Sequence, residues 1–279
     1  MNPQREEDQH DAVAAALGSV GTAVVASAAS PHLPSEVTEV FNNIGVPTLQ
    51  AVLTYASLQY VRYTAEGDPS RERVLDAATS AANLIRKALA ENKTLRDDGF
   101  FPPSTAARLE KDAKRKRGGR RLGSQLAEGV LLAAKNTFED KKAAHMGYFY
   151  AFVAFEPQID AGLASWLLAQ AEALTWTQYV LLASLDPETE AGLPLGSLSG
   201  SLDGYPNWGT REQLEDLISR GFVVEREEFT ERLQLSLKSE QYTDLLLTRR
   251  GSIFTSAFNL RLIEPMEIRS VTNLLMNRD

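Results

Sequence analysis

Apolar residues recur every three or four positions through most of residues 47–174, and proline or glycine interrupts the pattern at intervals. In one run Leu49, Val52 and Ala56 share a face, a period that is typical of amphipathic helices. Asp68, which a proline follows, is a good N-cap for the next run because its side chain can accept a hydrogen bond from the first turn. The spacing predicts helices joined by short loops, as in a helical bundle.

Residues 122–155 show the longest of these patterns, and Glu156-Pro157 ends it. Its second half, residues 146–155, is rich in aromatic side chains at spacings of three to four. This spacing favours ordinary core packing over a cofactor site. We therefore predict one long helix here with an aromatic buried face.

After residue 174 the pattern changes, and two T-x-x-Q capping boxes begin at Thr175 and Thr210. Gly221 follows the second helical pattern at the position where a C′ glycine belongs. The segment 222–224 is predicted to be a strand, and Leu233, Leu235 and Leu237 show the alternation of a second, half-buried strand. A further apolar run, a helix capped by Thr248 and a last helix from Pro265 complete the chain.

This order of elements resembles the winged-helix module of MarR-like bacterial regulators over about residues 174–262. The residues that carry the resemblance are Leu174-Thr175-x-x-Gln178, the segment 217–224 (LISRGFVV) and the segment 246–251 (LLTRRG). The resemblance implies that the helix 210–219 enters the major groove of DNA and that residues 225–232 lie beside the wing.

The expected fold is mainly α, with a helical bundle followed by a winged-helix-like α+β module that contains a small β-hairpin. The expected domains are residues 1–173, with a basic loop at 108–121, and residues 174–279, which end in the C-terminal helix.

The predicted winged-helix-like module is acidic, which argues against DNA binding by this module. Residues 175–260 hold seven Lys and Arg against thirteen Asp and Glu, a net charge of −6. The helix that would read DNA carries Glu212, Glu215 and Asp216 against Arg211. Duplex binding depends largely on cations that contact phosphates. We therefore predict protein contact or structural packing for this module, with DNA reading as an alternative.

Positive charge is concentrated in the fourteen residues 108–121, where eight cations face two carboxylates for a net charge of +6. The other 265 residues sum to −14. Adjacent like charges are costly unless they are solvated or paired with an anionic partner. We predict that this segment binds a polyanion or an acidic partner, and a solvated linker is the alternative. Its cations are Arg108, Lys111, Lys114, Arg115, Lys116, Arg117, Arg120 and Arg121.

The sequence offers little of the usual catalytic or ligand-binding chemistry. It has no cysteine, and its three histidines are far apart. The segment 196–200 would be a nucleophile elbow if serine stood at its centre, but Leu198 stands there. His145 has no second histidine nearby and is expected to be structural. We expect no catalytic residue, metal site or cofactor.

Residues 12–29 are uncharged, but they are mostly small, and the eleven residues before them carry a net charge of −3. A secretory signal would have a positive start, and a membrane helix would have more large aliphatic residues. We predict a packed helix of a cytoplasmic protein. A membrane-acting effector that releases this helix is an alternative.

Together these patterns predict a non-catalytic interaction, oligomerisation or regulatory protein. Its expected partner is another protein or a second copy of the chain, and nucleic acid could bind through residues 108–121. A winged-helix transcription regulator and a membrane-acting effector are the two alternatives.

Overall fold

A computed structural model describes residues 33–44, 47–61, 64–98, 100, 122–189, 205–225 and 245–276. Over these residues the chain is mainly helical and contains a two-stranded antiparallel sheet, as predicted. The chain divides into two compact units, Met1–Glu172 (unit 1) and Ala173–Asp279 (unit 2). The predicted N-terminal helix at 12–29 and the predicted strand at 233–237 lie outside the described residues.

Unit 1 is built from helices. They are α1 (Ser35–Asn42), α2 (Pro47–Val61), α3 (Pro69–Ala90), α4 (Leu122–Asn136), α5 (Lys141–Phe155) and α6 (Ala161–Ala173), and the unit boundary lies in the last turn of α6. The predicted cap at Asp68 is confirmed, because its carboxylate accepts a hydrogen bond from the amide of Ser70 at 2.8 Å. The same carboxylate accepts from the Ser70 hydroxyl, and these bonds lower the pKa of Asp68.

Helix α3 packs against α1, α2, α4 and α5, so it forms the centre of unit 1. Its buried face is made mostly of alanine, and the facing side of α5 also carries small residues. The aromatic part of α5 is core, as predicted, with Phe149 and Tyr150 completely buried. Burial raises the pKa of the Tyr150 hydroxyl, because the charged form would be desolvated.

The prediction of a single long helix over residues 122–155 is wrong. The structure contains two helices there, α4 and α5, separated by residues 137–140. The hydroxyl of Thr137 accepts a hydrogen bond from the amide of Glu139 at 3.2 Å, which supports a turn instead of a continued helix.

Unit 2 begins with α7 (Trp176–Ser184) and α8 (Tyr205–Ser219). Strands β1 (Val223–Glu225) and β2 (Leu245–Leu247), α9 (Arg249–Ala257), a 3₁₀ turn (Leu260–Leu262) and α10 (Pro265–Met276) follow. The two strands pair antiparallel, with Val224 opposite Leu246. The core of the unit contains four completely buried aromatic side chains, and Phe254 lies 4.4 Å from Phe258 and 5.4 Å from Tyr179 between ring centroids.

Several local signals in unit 2 are confirmed. Thr175 and Gln178 form a reciprocal capping box at the start of α7. Gly221 has a positive φ of 71° after α8, which is the C′ conformation that favours glycine. The hydroxyl of Thr248 caps α9 by accepting from the amide of Gly251 at 3.1 Å.

The prediction of a second capping box at Thr210 is wrong. Helix α8 begins at Tyr205, so Thr210 lies inside it. Its hydroxyl donates to the carbonyl oxygen of Pro206, four residues earlier, at 2.9 Å. The proline so near the start fixes a helical φ, which suits the first turn.

Candidate interaction site

The eight cations predicted as the contact site (Arg108, Lys111, Lys114, Arg115, Lys116, Arg117, Arg120 and Arg121) lie outside the described residues. The nearest described residues are Phe100 before this segment and Leu122 after it, and both belong to unit 1. We call residues 108–121 the basic segment.

The two flanks of the basic segment are joined by a backbone hydrogen bond. The amide of Gly123, at the start of α4, donates to the carbonyl oxygen of Phe100 at 2.8 Å. Phe100 is buried, and so is Gly123. Phe100 and Gly123 are therefore held next to each other, although twenty-two residues separate them in sequence.

Arg96 holds the end of α5 next to this point. Its side chain is only 2% exposed, and its guanidinium lies among the carbonyl groups at and after the C-terminus of α5. Nη1 donates to the carbonyl oxygens of Val153, Glu156 and Ile159 at 3.3, 3.2 and 2.8 Å. Helix C-termini leave carbonyl groups without intrahelical partners, and Arg96 contacts one of these on α5, at Val153, and two carbonyl groups beyond the helix.

The same guanidinium connects α5 to Phe100. Its Nε donates to Oδ1 of Asp98 at 3.0 Å, and Oδ1 of Asp98 also accepts from the amide of Phe100 at 3.1 Å. The guanidinium lies 4.2 Å from the centroid of the Phe100 ring. Hydrogen bonds from Arg96 lower the pKa of Asp98. We call Arg96, Asp98 and Phe100 the clasp.

Sequence reasoning missed the clasp. Arg96 and Asp98 stand in a short connecting segment after α3, where charged residues are usually solvated. Residues 153–159, which Arg96 contacts, and Gly123, which contacts Phe100, are distant in sequence. No local spacing relates these positions to one another.

In unit 2, the exposed side of α8 is acidic apart from one aromatic residue. Glu212 and Glu215 are exposed, and the side chain of Trp208, one turn earlier, is 52% exposed. Arg211 lies 3.5 Å from Glu215 in an ion pair along the helix. The net charge of this helix surface is therefore negative.

Most arginines described in unit 2 contact groups of the same unit. Arg220 lies 2.7 Å from Asp216, and Arg261 lies 2.8 Å from the buried Asp186. The hydrogen bond that Arg261 donates to Asp186 raises the pKa of Arg261. Arg250 donates to the carbonyl oxygen of Arg220. Arg220 and Arg261 are therefore paired with carboxylates, whereas Arg250 contacts a neutral carbonyl group and is exposed.

The inner side of α8 is fixed to α7 by a polar network. Nε2 of Gln178 donates to the carbonyl oxygen of Gln213 at 3.2 Å and to Oδ2 of Asp216 at 2.7 Å, and the hydroxyl of Thr175 donates to Oε1 of Gln213. Gln178 is buried. Satisfied buried polar groups of this kind specify one arrangement of two elements.

His145 and Lys142 are buried titratable side chains that lie outside the clasp. His145 is buried on α5, and its ring lies edge-on to Tyr148 at 5.4 Å. Lys142 is 2% exposed, lies 3.5 Å from Glu139 and donates to the carbonyl oxygen of Glu172 at 3.4 Å. Burial lowers the pKa of Lys142, although the two glutamates oppose this effect.

Two features are absent from the described residues. No group of three or more His, Asp or Glu side chains is arranged there to hold a metal ion. None of the helices described has both the length and the apolar character that a membrane crossing requires.

Comparisons with protein-family models, with curated proteins and with solved structures found no match to this chain.

Proposed function

We propose that this chain is a non-catalytic interaction protein and that the basic segment is its contact site for a polyanion or an acidic protein partner. The observation that carries the proposal is a charge of +6 in fourteen residues of a chain that is otherwise −14. Such a concentration attracts anions and repels itself when it is unpaired. The bond between Phe100 and Gly123 supports the proposal, because it holds together described residues on the two sides of the segment in sequence.

The first experiment replaces Lys114–Arg117 by serine in the full chain. Binding is measured to inorganic polyphosphate and to a polyglutamate peptide at about 50 and about 200 mM salt. We expect at least about a tenfold loss of affinity for one of the two probes. The slope of log K against log salt should flatten by about 3, because four fewer cations release counterions. The preferred probe distinguishes a polyanion from an acidic protein surface.

The matched control removes four cations from elsewhere in unit 1. Arg86, Lys87, Lys93 and Lys141 are exposed, and their replacement by serine changes the net charge of −8 by the same amount. We expect this variant to bind nearly as well as the wild type. Equal losses in both variants would show that net charge alone drives binding, and the proposal would then be wrong.

We further infer that unit 2 is a winged-helix-like module. The order α7, α8, β1, β2, α9 and the antiparallel pairing of the two strands support this inference, together with the resemblance to MarR-like regulators. A transcription regulator is therefore the second candidate function. The acidic outer side of α8 favours protein contact over DNA for this unit.

A gel shift with duplex DNA at low salt separates these candidates. The variant with Arg211 and Arg249 replaced by serine should behave like the wild type if unit 2 contacts protein. Loss of DNA binding in this variant, with binding retained after replacement of Lys114–Arg117, would instead support the transcription regulator.

We propose that the protein is cytoplasmic. A membrane-acting effector is the remaining alternative function. The uncharged residues 12–29 would be the membrane-binding segment in that case. Co-sedimentation of the full chain with anionic and neutral liposomes tests this alternative. Binding to both kinds of liposome would favour insertion, whereas binding to the anionic kind alone would again indicate the basic segment.

A further inference from the structure

We propose that Asp98 is a site of isoaspartate formation and that the clasp protects it in the folded protein. Glycine follows Asp98 in the sequence, and an Asp-Gly pair is prone to this change because glycine has no side chain to hinder it. The inference goes beyond the proposed function and does not depend on the basic segment. Gly99 lies outside the described residues, whereas the contacts that protect Asp98 lie within them.

The reaction needs no reagent except water. The main-chain nitrogen of Gly99 attacks the side-chain carboxyl carbon of Asp98, and a new C–N bond closes a succinimide ring. The carboxyl group reacts in its protonated form, so its hydroxyl group and the amide proton leave together as water. A water molecule then opens the ring at the main-chain carbonyl group. The chain now continues through the former side chain, and the product is isoaspartate.

Both oxygens of the Asp98 carboxylate are engaged in the clasp. Oδ1 accepts from Nε of Arg96 at 3.0 Å and from the amide of Phe100 at 3.1 Å. Oδ2 accepts from Nε of Arg96 at 3.2 Å and also from its Nη2. One of these oxygens has to leave as water when the ring closes. Its hydrogen bonds therefore have to break before the reaction can proceed.

The charge of Arg96 also disfavours the reaction. The side chain of Arg96 is 2% exposed and that of Asp98 is 42% exposed, so water reaches the carboxylate while the cation is buried. Ring closure would turn the carboxylate into a neutral imide and leave the buried cation without the carboxylate that pairs with it. Hydrogen bonds from Arg96 lower the pKa of Asp98, so the reactive protonated form is rarer than in an unpaired aspartate.

Arg96 is held in place by groups other than Asp98. Its Nη1 donates to the carbonyl oxygens of Val153 and Ile159 at 3.3 and 2.8 Å, and its main-chain amide donates to that of Ala154 at 3.1 Å. These contacts fix the guanidinium to the end of α5. The protection of Asp98 therefore depends on the packing of unit 1 and is lost when the unit unfolds.

The first measurement compares the folded and the unfolded wild type. The full chain is kept at neutral pH and physiological temperature, with and without concentrated urea. Isoaspartate is then located by enzymatic methylation and mass spectrometry of the digested peptides. We expect formation at Asp98 to be at least about tenfold slower in the folded protein, because the clasp has to open first. Equal rates in the two conditions would overturn the proposal.

The second measurement removes the guanidinium. In folded Arg96→Met, the rate at Asp98 should rise at least about tenfold, since each unit of pKa changes the protonated fraction tenfold and the hydrogen bonds are lost as well. Asp203-Gly204 is the other Asp-Gly pair of the chain, and its rate should stay at the wild-type value. Arg86→Met, at an exposed position of α3 outside the clasp, should leave both rates unchanged.

Gly99→Ala in the Arg96→Met background tests the chemistry itself. The added methyl group hinders attack by the nitrogen of that residue, so most of the product at Asp98 should disappear. Undiminished product would show that the signal does not come from ring closure, and the proposal would then be wrong.

Arg96→Lys replaces Arg96→Met if the methionine variant does not fold. Lysine keeps a cation at the buried position but lacks the fork that engages both carboxylate oxygens, so a rise of about threefold at Asp98 is expected. Circular dichroism shows whether each variant is folded. A folded variant with the wild-type rate at Asp98 would show that the clasp does not protect this residue. An equal rise at Asp203 would show a general loosening of the chain, and either result would overturn the proposal.

Discussion

A methyl group placed on Gly147 of α5 would lie 2.0 Å from the carbonyl oxygen of Ala77 on α3. The backbones of the two helices are therefore in direct contact at this point. Ala143 and Ala151, one turn before and after Gly147, are also buried. Small side chains on both helices make this close approach sterically accessible, and glycine is required at its centre.

The first prediction concerns this contact. Gly147→Ala should lower the free energy of unfolding by about 1–3 kcal/mol, because the new methyl group displaces one helix from the other. Alanine normally stabilises a helix by about 0.5–1 kcal/mol relative to glycine, so the expected sign is opposite to that of helix propensity. Urea denaturation followed by circular dichroism measures the difference.

Gly162→Ala is the control for this prediction. Gly162 is exposed in the first turn of α6, and its added methyl group would have its nearest contact at 3.4 Å, with the Asp160 side chain. We expect this variant to be at least as stable as the wild type. If Gly147→Ala were stabilising to the same degree, the close contact between α3 and α5 would be wrong.

The second prediction concerns Thr248, whose hydroxyl accepts from the amide of Gly251 and donates to the carbonyl oxygen of Gly221 at 2.7 Å. Thr248→Ala should destabilise the protein by about 1–2 kcal/mol, because both the cap and the contact with the C-terminal end of α8 are lost. Thr248→Ser keeps the hydroxyl and should retain most of the stability in thermal unfolding. If Thr248→Ser were as unstable as Thr248→Ala, the stabilisation would come from the methyl group of Thr248 and not from its hydroxyl.

The third prediction is a dependence of stability on alkaline pH. Burial lowers the pKa of Lys142 in the folded protein, whereas in the unfolded chain it stays near its ordinary value of 10.5. Between these two values the unfolded chain binds more protons, so the free energy of unfolding should rise with pH. Lys142→Met should lack this contribution. Urea denaturation of both proteins from neutral pH to about 10.5 gives the difference, and parallel curves would contradict the prediction.

The fourth prediction is a dependence on acidic pH. Hydrogen bonds from Arg96 lower the pKa of Asp98, so its contribution to stability is complete above the ordinary carboxyl value of about 3.9. That contribution is lost as the pH falls through the folded pKa, because protonation weakens the bond to Arg96. Asp98→Asn should therefore be less sensitive to acid than the wild type when unfolding is measured between about pH 5 and about pH 2.

Elements whose ends are set by neighbouring residues could be predicted from the sequence. Asp68, Thr175, Gly221 and Thr248 each act within four residues along the chain, and the structure contains all four as expected. Capping bonds and positive φ values depend on local chemistry, so a single sequence contains the required information.

Two features that sequence reasoning missed are the break between α4 and α5 and the clasp. The apolar period of α4 continues into α5, and residues 137–140 between them contain no proline or glycine. The sequence pattern therefore gives no sign of the break. The clasp joins Arg96 to carbonyl groups about sixty positions away. Only the packing of α3 and α5 brings these groups together, and a pattern of spacings does not contain that packing.

The hydrogen bond between Phe100 and Gly123 makes unit 1 a natural scaffold for grafting. A foreign peptide could be inserted between these two residues with its ends already set at the right separation. The helix contacts that the structure describes in this unit lie among α1–α5. Libraries of anion-binding or metal-binding peptides could be displayed at this position.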